Sequence, residues 1–298
     1  MRRFLLVLLG WLCCAGVSLA QVQPRPYDDI IASGVLKVAV YDQFPPYSYR
    51  VEGEPRGVDV DLARALANGL GLTVEWLWVV PGETLDDDLR NFVWKGHYLR
   101  PDVLADLMMR IPYDREYAYR RNELGELVNE QVVMFGPYQR ERWQVAHDVR
   151  RLAEVPSVAV FQYHPIGVEV ESVPSFYLTS VFGGRMSGMT HHYPTPRAAF
   201  EAMQAGEVDA VMAMRAEVDW LLHQAQDEHL RRADNAYPDM GQQAWDLGMA
   251  VHESNRQLAY ALEGLLDPMI RAGDLEALYA RHGVRYELPG LYQDVQAN

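Results

Sequence analysis

The sequence predicts an α/β protein with mostly parallel sheets divided between two lobes. A strand, a helix and a strand follow one another in the first half, and the same order returns in the second half. The length behind the N-terminal segment suits one large domain or two lobes, and two extended stretches near the middle are placed to cross between lobes.

The elements follow in order. Arg2 and Arg3 precede an apolar run from Phe4 to Gly16, and Ser18, Leu19 and Ala20 supply a small-residue cleavage site. This reads as a secretory signal peptide, 1–20, cut near Ala20. Gln21 to Asp29 is a polar leader. Val35–Val40 is a buried strand and Gln43–Ser48 a proline-stiffened loop. Asp59 is read as the cap of a helix running to Asn68, with Leu62 and Leu66 on one face. Leu72–Val80 is the second strand, and a strand–helix–strand order implies parallel pairing. An acidic turn from Glu83 opens a helix extending to Leu99, and Ala105–Met109 is a short strand. Val132–Phe135 and Trp143–Ala146 form the first crossing.

In the second half Ser157–Phe161 is read as a strand. Thr195 and Pro196 start a helix that Gly206 stops. Val208–Ala213 is a strand and Glu217–Gln226 a helix. Leu247–Val251 forms the second crossing. Ser254 and Gln257 spell a capping box. Pro268 is expected to break or kink the helix that follows, and Asp274–Arg281 is the last helix. The expected division is 27–142 for lobe 1, 143–244 for lobe 2, and 245–298 returning to lobe 1.

Both cysteines, Cys13 and Cys14, lie in the signal segment, so disulfides, thiol catalysis and thiolate metal sites are excluded from the rest. No later stretch reaches the roughly 20 apolar residues of a membrane span. Loss of Arg2 and Arg3 takes the formal net charge from −14 to −16, which disfavours nucleic acid as a partner. His191 and His192 are adjacent, so in an extended chain they point to opposite sides and do not chelate together. No metal and no cofactor is expected. No nucleophile motif points to an enzyme.

Three segments carry a resemblance to a known family: Gly34–Val40 with Phe44–Tyr47 and Gly57–Ala63; Ala205–Val211; and Leu247–Val251 with Ala272–Ala280. Together they resemble the bacterial extracellular solute-binding proteins of family 3, which include amino-acid receptors of ABC importers. The resemblance implies a periplasmic binding protein fold of two lobes, each a mostly parallel sheet flanked by helices, joined by two crossing strands. It implies a periplasmic monomer that holds a small polar or anionic ligand between its lobes and docks on an inner-membrane ABC permease. Ligands of open parallel sheets lie at the carboxyl ends of strands, and closure follows from contacts made only in the closed state.

The candidate ligand residues are Asp42, Phe44 and Tyr47 in the first loop, Asp59 at the helix start, Arg110, Tyr113 and Arg115 after the third strand, His164, and the pair Met214 and Arg215. The family's receptors carry an arginine near Arg110 or Arg115 that grips a carboxylate bidentately. Here the segment Arg110-Ile111-Pro112-Tyr113-Asp114-Arg115 departs from that pattern by about one residue. The family's ammonium-binding aspartate is replaced by Met214, so an α-amino acid ligand loses ground to an anionic or aromatic one. The excursion His97–Leu104 brings Trp94, His97 and Tyr98 forward as further cleft candidates. Two alternatives stand beside the importer reading. Met109–Tyr113 also resembles proteins of this fold associated with periplasmic quinoprotein dehydrogenases, which implies an accessory partner role. A dehydratase-like enzyme on this fold is the third.

Overall fold

The computed structural model describes residues 23–296. The expected signal segment lies outside the described residues. The order is α1 (Tyr27–Ser33), β1 (Val35–Tyr41), β2 (Tyr49–Val51), β3 (Glu54–Arg56), α2 (Val58–Gly69), β4 (Thr73–Val79), α3 (Leu85–Leu89), β5 (Leu107–Pro112), α4 (Arg115–Ala118) and β6 (Val132–Asp148). Then come β7 (Ile166–Glu169), α5 (Val173–Gly184), β8 (Thr190–Tyr193), α6 (Pro196–Ala205), β9 (Ala210–Met214), α7 (Arg215–Ala225) and β10 (Leu230–Ala233). The chain returns through β11 (Ala244–His252), α8 (Arg256–Ala272), α9 (Asp274–Ala280) and α10 (Gly290–Gln296).

The strands run in the order β4-β1-β5-β11-β6-β9-β7-β8, with β10 also on β6. On one side β4, β1 and β5 are parallel. On the other, β8, β7 and β9 are parallel. Between them β11 and β6 run antiparallel to each other and to their neighbours. The 17-residue β6 reaches both sets of strands. Two parallel sheets are thus joined by two crossing strands. The expected crossings 132–135 and 143–146 are parts of this one strand, whose first stretch, up to Arg142, pairs with β11 and whose later stretch, Trp143–His147, pairs with β9.

The core repeats the apolar spacing of the helices. Val58, Leu62, Leu66 and Ala67 of α2 are buried against the β1 side, and Ala199, Phe200 and Met203 of α6 against the β9 side. At roughly 25 cal/mol per Å² of apolar surface, such stripes supply most of the folding drive. Thr195 caps α6 through Ala198 N–H, and Gly206 ends it with φ +84°, as the sequence predicts.

Four expectations are corrected. Ser157–Phe161 is not a strand. Val158 and Phe161, three apart, are both buried on one side of a 3-10 turn, and the strand lies later at β7. Asp59 does not cap α2. Gly57 holds that position, and the Asp59 carboxylate turns inward. The Ser254–Gln257 capping box does not form, because the Ser254 hydroxyl bonds His252 Nδ1 and α8 starts two residues later. Pro268 neither ends nor breaks α8. Leu258, Leu262, Leu266 and Ile270 are buried on both sides of it, which offsets the roughly 3 kcal/mol cost of an interior proline. Asp274–Ala280 is followed by the further helix α10. The chain also has α1, α5, β8 and the β2–β3 hairpin, which the sequence reading left out.

Gly57 positions the cleft. Its φ is +121°, and a Cβ there would lie 2.1 Å from the Tyr47 carbonyl oxygen. Only glycine lets α2 start against the Tyr47 loop. Gly57→Ala should cost at least about 2 kcal/mol. Gly53→Ala, also at positive φ but with open space around it, should cost about 1 kcal/mol. Urea denaturation of both variants checks this, and equal losses would show that the close approach is unimportant.

Candidate functional site

The carboxyl ends of β1, β4, β7 and β9 meet across a cleft of about 540 Å³. Tyr41, Asp42 and Phe44 line it from the end of β1, and Pro81–Leu85 with Asp88 from the segment after β4. Arg110 and Pro112 come from β5, Glu169 from β7, Met214 from β9, and Trp245 and Leu247 from the crossing strand β11. Both sets of parallel strands and the crossing thus contribute one wall each.

Arg110 occupies a bulge. Gly248 pairs with Ile111 and Met249 with Met109, so Arg110 is the extra residue on its strand. Its φ of +63° is a strained setting for a side chain with a Cβ, and bulges re-aim side chains. The guanidinium is buried. Nε and Nη2 donate to Asp59 at 2.7 and 3.2 Å, and Nη2 donates to Gln139 Oε1 at 2.8 Å. It stacks 3.3 Å over the Tyr47 ring. Burial works against its charge, but the Asp59 carboxylate outweighs that and Arg110 is held well above the usual arginine value. Nη1 has no hydrogen-bond partner among the described residues.

The network continues behind it. Tyr138 donates to Asp59, Tyr279 to Gln139, and both Tyr47 and Gln139 Nε2 donate to Glu141 at 2.8 Å. Four elements therefore share one set of buried polar bonds.

Carboxyl groups dominate the cleft wall. Asp42 pairs with Arg50. Asp88 accepts from Tyr41 and from Gly82 N–H, yet burial holds its pKa above the ordinary value. Glu169 has no side-chain partner among the described residues, and burial raises its pKa as well. Behind the wall, Glu217 accepts from Met214 N–H. Burial first, and the Glu169 charge second, push Glu217 well above the ordinary carboxyl value.

The structure brings four of the candidate residues to the cleft wall, Asp42, Phe44, Arg110 and Met214. Tyr47 and Asp59 stand behind it, fully buried, as supports of Arg110. Tyr113 and Arg115 line a separate cavity beneath the segment after β5. His164 sits at the amino end of β7, bonded to Asp209 at 2.8 Å. It is a strand's length from the carboxyl ends that form the cleft. Arg215 is buried at the start of α7, where it donates to the carbonyls of Arg140 and Arg285. Tyr98 is exposed and stacks on His97, and Trp94 lines a small pocket with Gln23 and Pro24. None of these three lines the cleft. Among the described residues no group of three His, Cys, Asp or Glu side chains is placed to hold a metal ion.

Glu169 and Trp245 were missed in the sequence. Glu169 was hidden by the strand placed at 157–161. A signal was present, because Ser172 with Pro174 is a helix start of the same kind as Thr195 with Pro196. A strand just before it leads to Glu169. Trp245 had no such signal.

An inter-lobe cleft at strand carboxyl ends, with two crossing strands, is the architecture of the two-lobed periplasmic binding protein fold. Residues 36–91 match the family of bacterial extracellular solute-binding proteins, family 3, as the sequence resemblance anticipated. Cyclohexadienyl dehydratase of Pseudomonas aeruginosa is 32% identical over 118 residues, a match covering 38% of this chain and 44% of that protein's length. Among solved structures, an ancestral cationic amino acid solute-binding protein superposes with a TM-score of 0.65 at 19% identity, covering 85% of this chain and 97% of that one. An amino acid ABC transporter substrate-binding protein from Streptococcus pneumoniae, bound to L-arginine, gives 0.59 at 18%, covering 88% and 98%. These structures share the two-lobed periplasmic binding protein fold with this chain. No helix among the described residues is long and apolar enough to cross a membrane.

Two outcomes are expected. Asp59→Asn leaves the buried Arg110 charge without its counter-ion and should cost about 3–5 kcal/mol in urea denaturation. A loss under about 1 kcal/mol would mean that Gln139 and the Tyr47 ring suffice. Glu217→Gln keeps the acceptor for Met214 N–H and removes a charge. A carboxyl whose pKa is raised by folding binds its proton more tightly in the native state, so stability falls as pH rises above the ordinary 4.5. The variant should therefore melt several degrees above the unchanged protein at pH 8 and at the same temperature as it at pH 4. A gain at pH 4 as large as at pH 8 would contradict this.

Proposed function

We propose that the protein is a periplasmic solute receptor that closes on a small polar ligand bearing a cationic group, and that it delivers the ligand to an inner-membrane importer. On this reading lobe 1 is 27–142 with 245–298, lobe 2 is 143–244, and residues 1–20 are the cleaved signal. The observation that carries the reading is the pairing of unmatched groups on one cleft. Glu169 offers a carboxylate without a side-chain partner among the described residues, and Arg110 on the same wall holds a buried, unused donor at Nη1. A ligand with an ammonium group and an oxygen acceptor complements both.

Glu169 also bears on the missing aspartate. Val168 pairs with Met212 on the parallel neighbour, so Glu169 lies beside the Met214 end of β9. A carboxylate from the adjacent strand offers the ammonium-binding charge that Met214 cannot supply. The acidic wall favours cations over the anionic or aromatic ligands that Met214 alone suggested.

A dehydratase-like reading has one observation in its favour. A cleft carboxyl whose pKa burial raises, such as Glu169, keeps its proton to higher pH than a free glutamate, as a general acid needs, and the relative in Pseudomonas aeruginosa is named a dehydratase.

Calorimetry on the chain from residue 21, across amino acids, amines, organic acids and sugars, tests the proposal. A cationic or zwitterionic solute should bind. At 100 times its Kd it should stabilise the fold by about 2.7 kcal/mol. Glu169→Gln should weaken it at least tenfold. Turnover of a cyclohexadienyl substrate, lost in Glu169→Gln, would replace the receptor reading with the dehydratase. Silence across the panel, with retention of a quinoprotein dehydrogenase on the immobilised protein, would replace it with the accessory role.

A further inference from the structure

The cleft does not end at Trp245. A second cavity of about 780 Å³ opens on its far side, and the two share Pro112 and Trp245 as a common wall. Each falls in the size range of an ordinary small-ligand pocket. Together they exceed what one amino acid would fill.

The second cavity has its own chemistry. Trp143 and Trp245 pack at its wall with ring centroids 4.9 Å apart and planes tilted by 53°. Both indoles are only half buried. Trp143 Nε1 donates to the Gln242 carbonyl at 3.2 Å, which fixes that ring. The charged residues on the wall are Asp114, Glu116 and Arg120. Arg120 is already paired with Asp86. Asp114 accepts the Tyr117 N–H, and Glu116 is exposed and has no partner among the described residues. Indole faces beside unmatched carboxylates attract a cation through the ring quadrupole and through charge together.

The geometry points to an elongated ligand with two cationic groups, the first at Glu169 and the second over the Trp143–Trp245 pair near Glu116, joined by a chain that passes Pro112. This rests on the receptor reading and extends it from a single charged group to a second subsite. The flat wall of Pro112 and Trp245 suits a methylene chain, and the carboxylates at both ends select against a ligand whose far end is neutral or anionic. A linear polyamine and a short basic peptide share this chemistry.

Calorimetry on the chain from residue 21 would compare butylamine with linear diamines of four to eight carbons, spermidine and the dipeptide lysyl-lysine. The expected result is that one diamine length binds at least tenfold tighter than butylamine. Glu116→Gln and, separately, Trp143→Leu should remove most of that advantage and leave butylamine binding unchanged, whereas Glu169→Gln should weaken every amine. Glu116 is on the surface, so its variant remains informative if Trp143→Leu fails to fold. A preference for spermidine over lysyl-lysine would identify the source as a polyamine, and the reverse a peptide that also uses Arg110. Equal binding of butylamine and all diamines would overturn the second subsite while leaving the receptor reading intact. Binding only of amino acids, with no amine bound, would overturn it too. No binding by any solute would overturn both.

Discussion

The buried guanidinium of Arg110 is the constraint around which the rest is arranged. A charge withdrawn from water costs several kcal/mol unless it is paired and hydrogen-bonded. Arg110 meets that demand by gathering partners from separate elements: Asp59 from the first turn of α2, Gln139 from β6 and the Tyr47 ring from the loop after β1. The β5 bulge that aims it inward is matched by close backbone approaches next door. A Cβ on Gly248 would lie 2.5 Å from the Phe135 carbonyl. The bulge of β5, the start of α2 and the first loop thus all meet at this one charge.

That network reaches the crossing strands at Glu141, which accepts from Tyr47 and Gln139. Arg215 lies 3.6 Å from Glu141 and 3.5 Å from Asp219. Arg285, from the segment after α9, also holds Asp219. The C-terminal segment therefore ties α7 to β6 across the crossing. The two lobes are joined by buried, mutually dependent charges at the back and face each other across open space at the front.

At the front Glu169 is left without a side-chain partner among the described residues. Glu169 and Asp88 are held above their ordinary pKa values by burial, and Glu217 lies behind them. A cleft that destabilises its own carboxylates gains from a cation that relieves them. In the proposed receptor, closure on such a ligand would follow from contacts that exist only when the lobes meet.

The sequence went far on local order. The apolar spacing at Leu62 and Leu66, and the Thr195–Pro196 start with its Gly206 stop, each led to the element found. The β7 strand was misplaced because a run of Val and Phe reads alike in a strand and in a 3-10 turn. Only the burial of Val158 with Phe161 separates the two. Of the candidate residues, those in the loop after β1 and at the ends of β5 and β9 were legible, because parallel strands open their carboxyl ends to the cleft.

What the sequence determined by itself was the α/β class, the chain order of strands and helices, and four of the residues on the cleft wall. Those rest on periodicity and on turn chemistry, which act over a few residues. Only the tertiary structure decided that Asp59 serves Arg110 and not the helix end, that Arg215 and His164 lie away from the cleft, that Glu169 and Trp245 line it, and that Trp143 packs on Trp245 in the adjoining cavity. These are choices of partner between residues as much as 102 positions apart, as at Trp143 and Trp245. They are made by the demand that buried charge be paired and by the register of β6, β9 and β11, neither of which leaves a mark in local spacing.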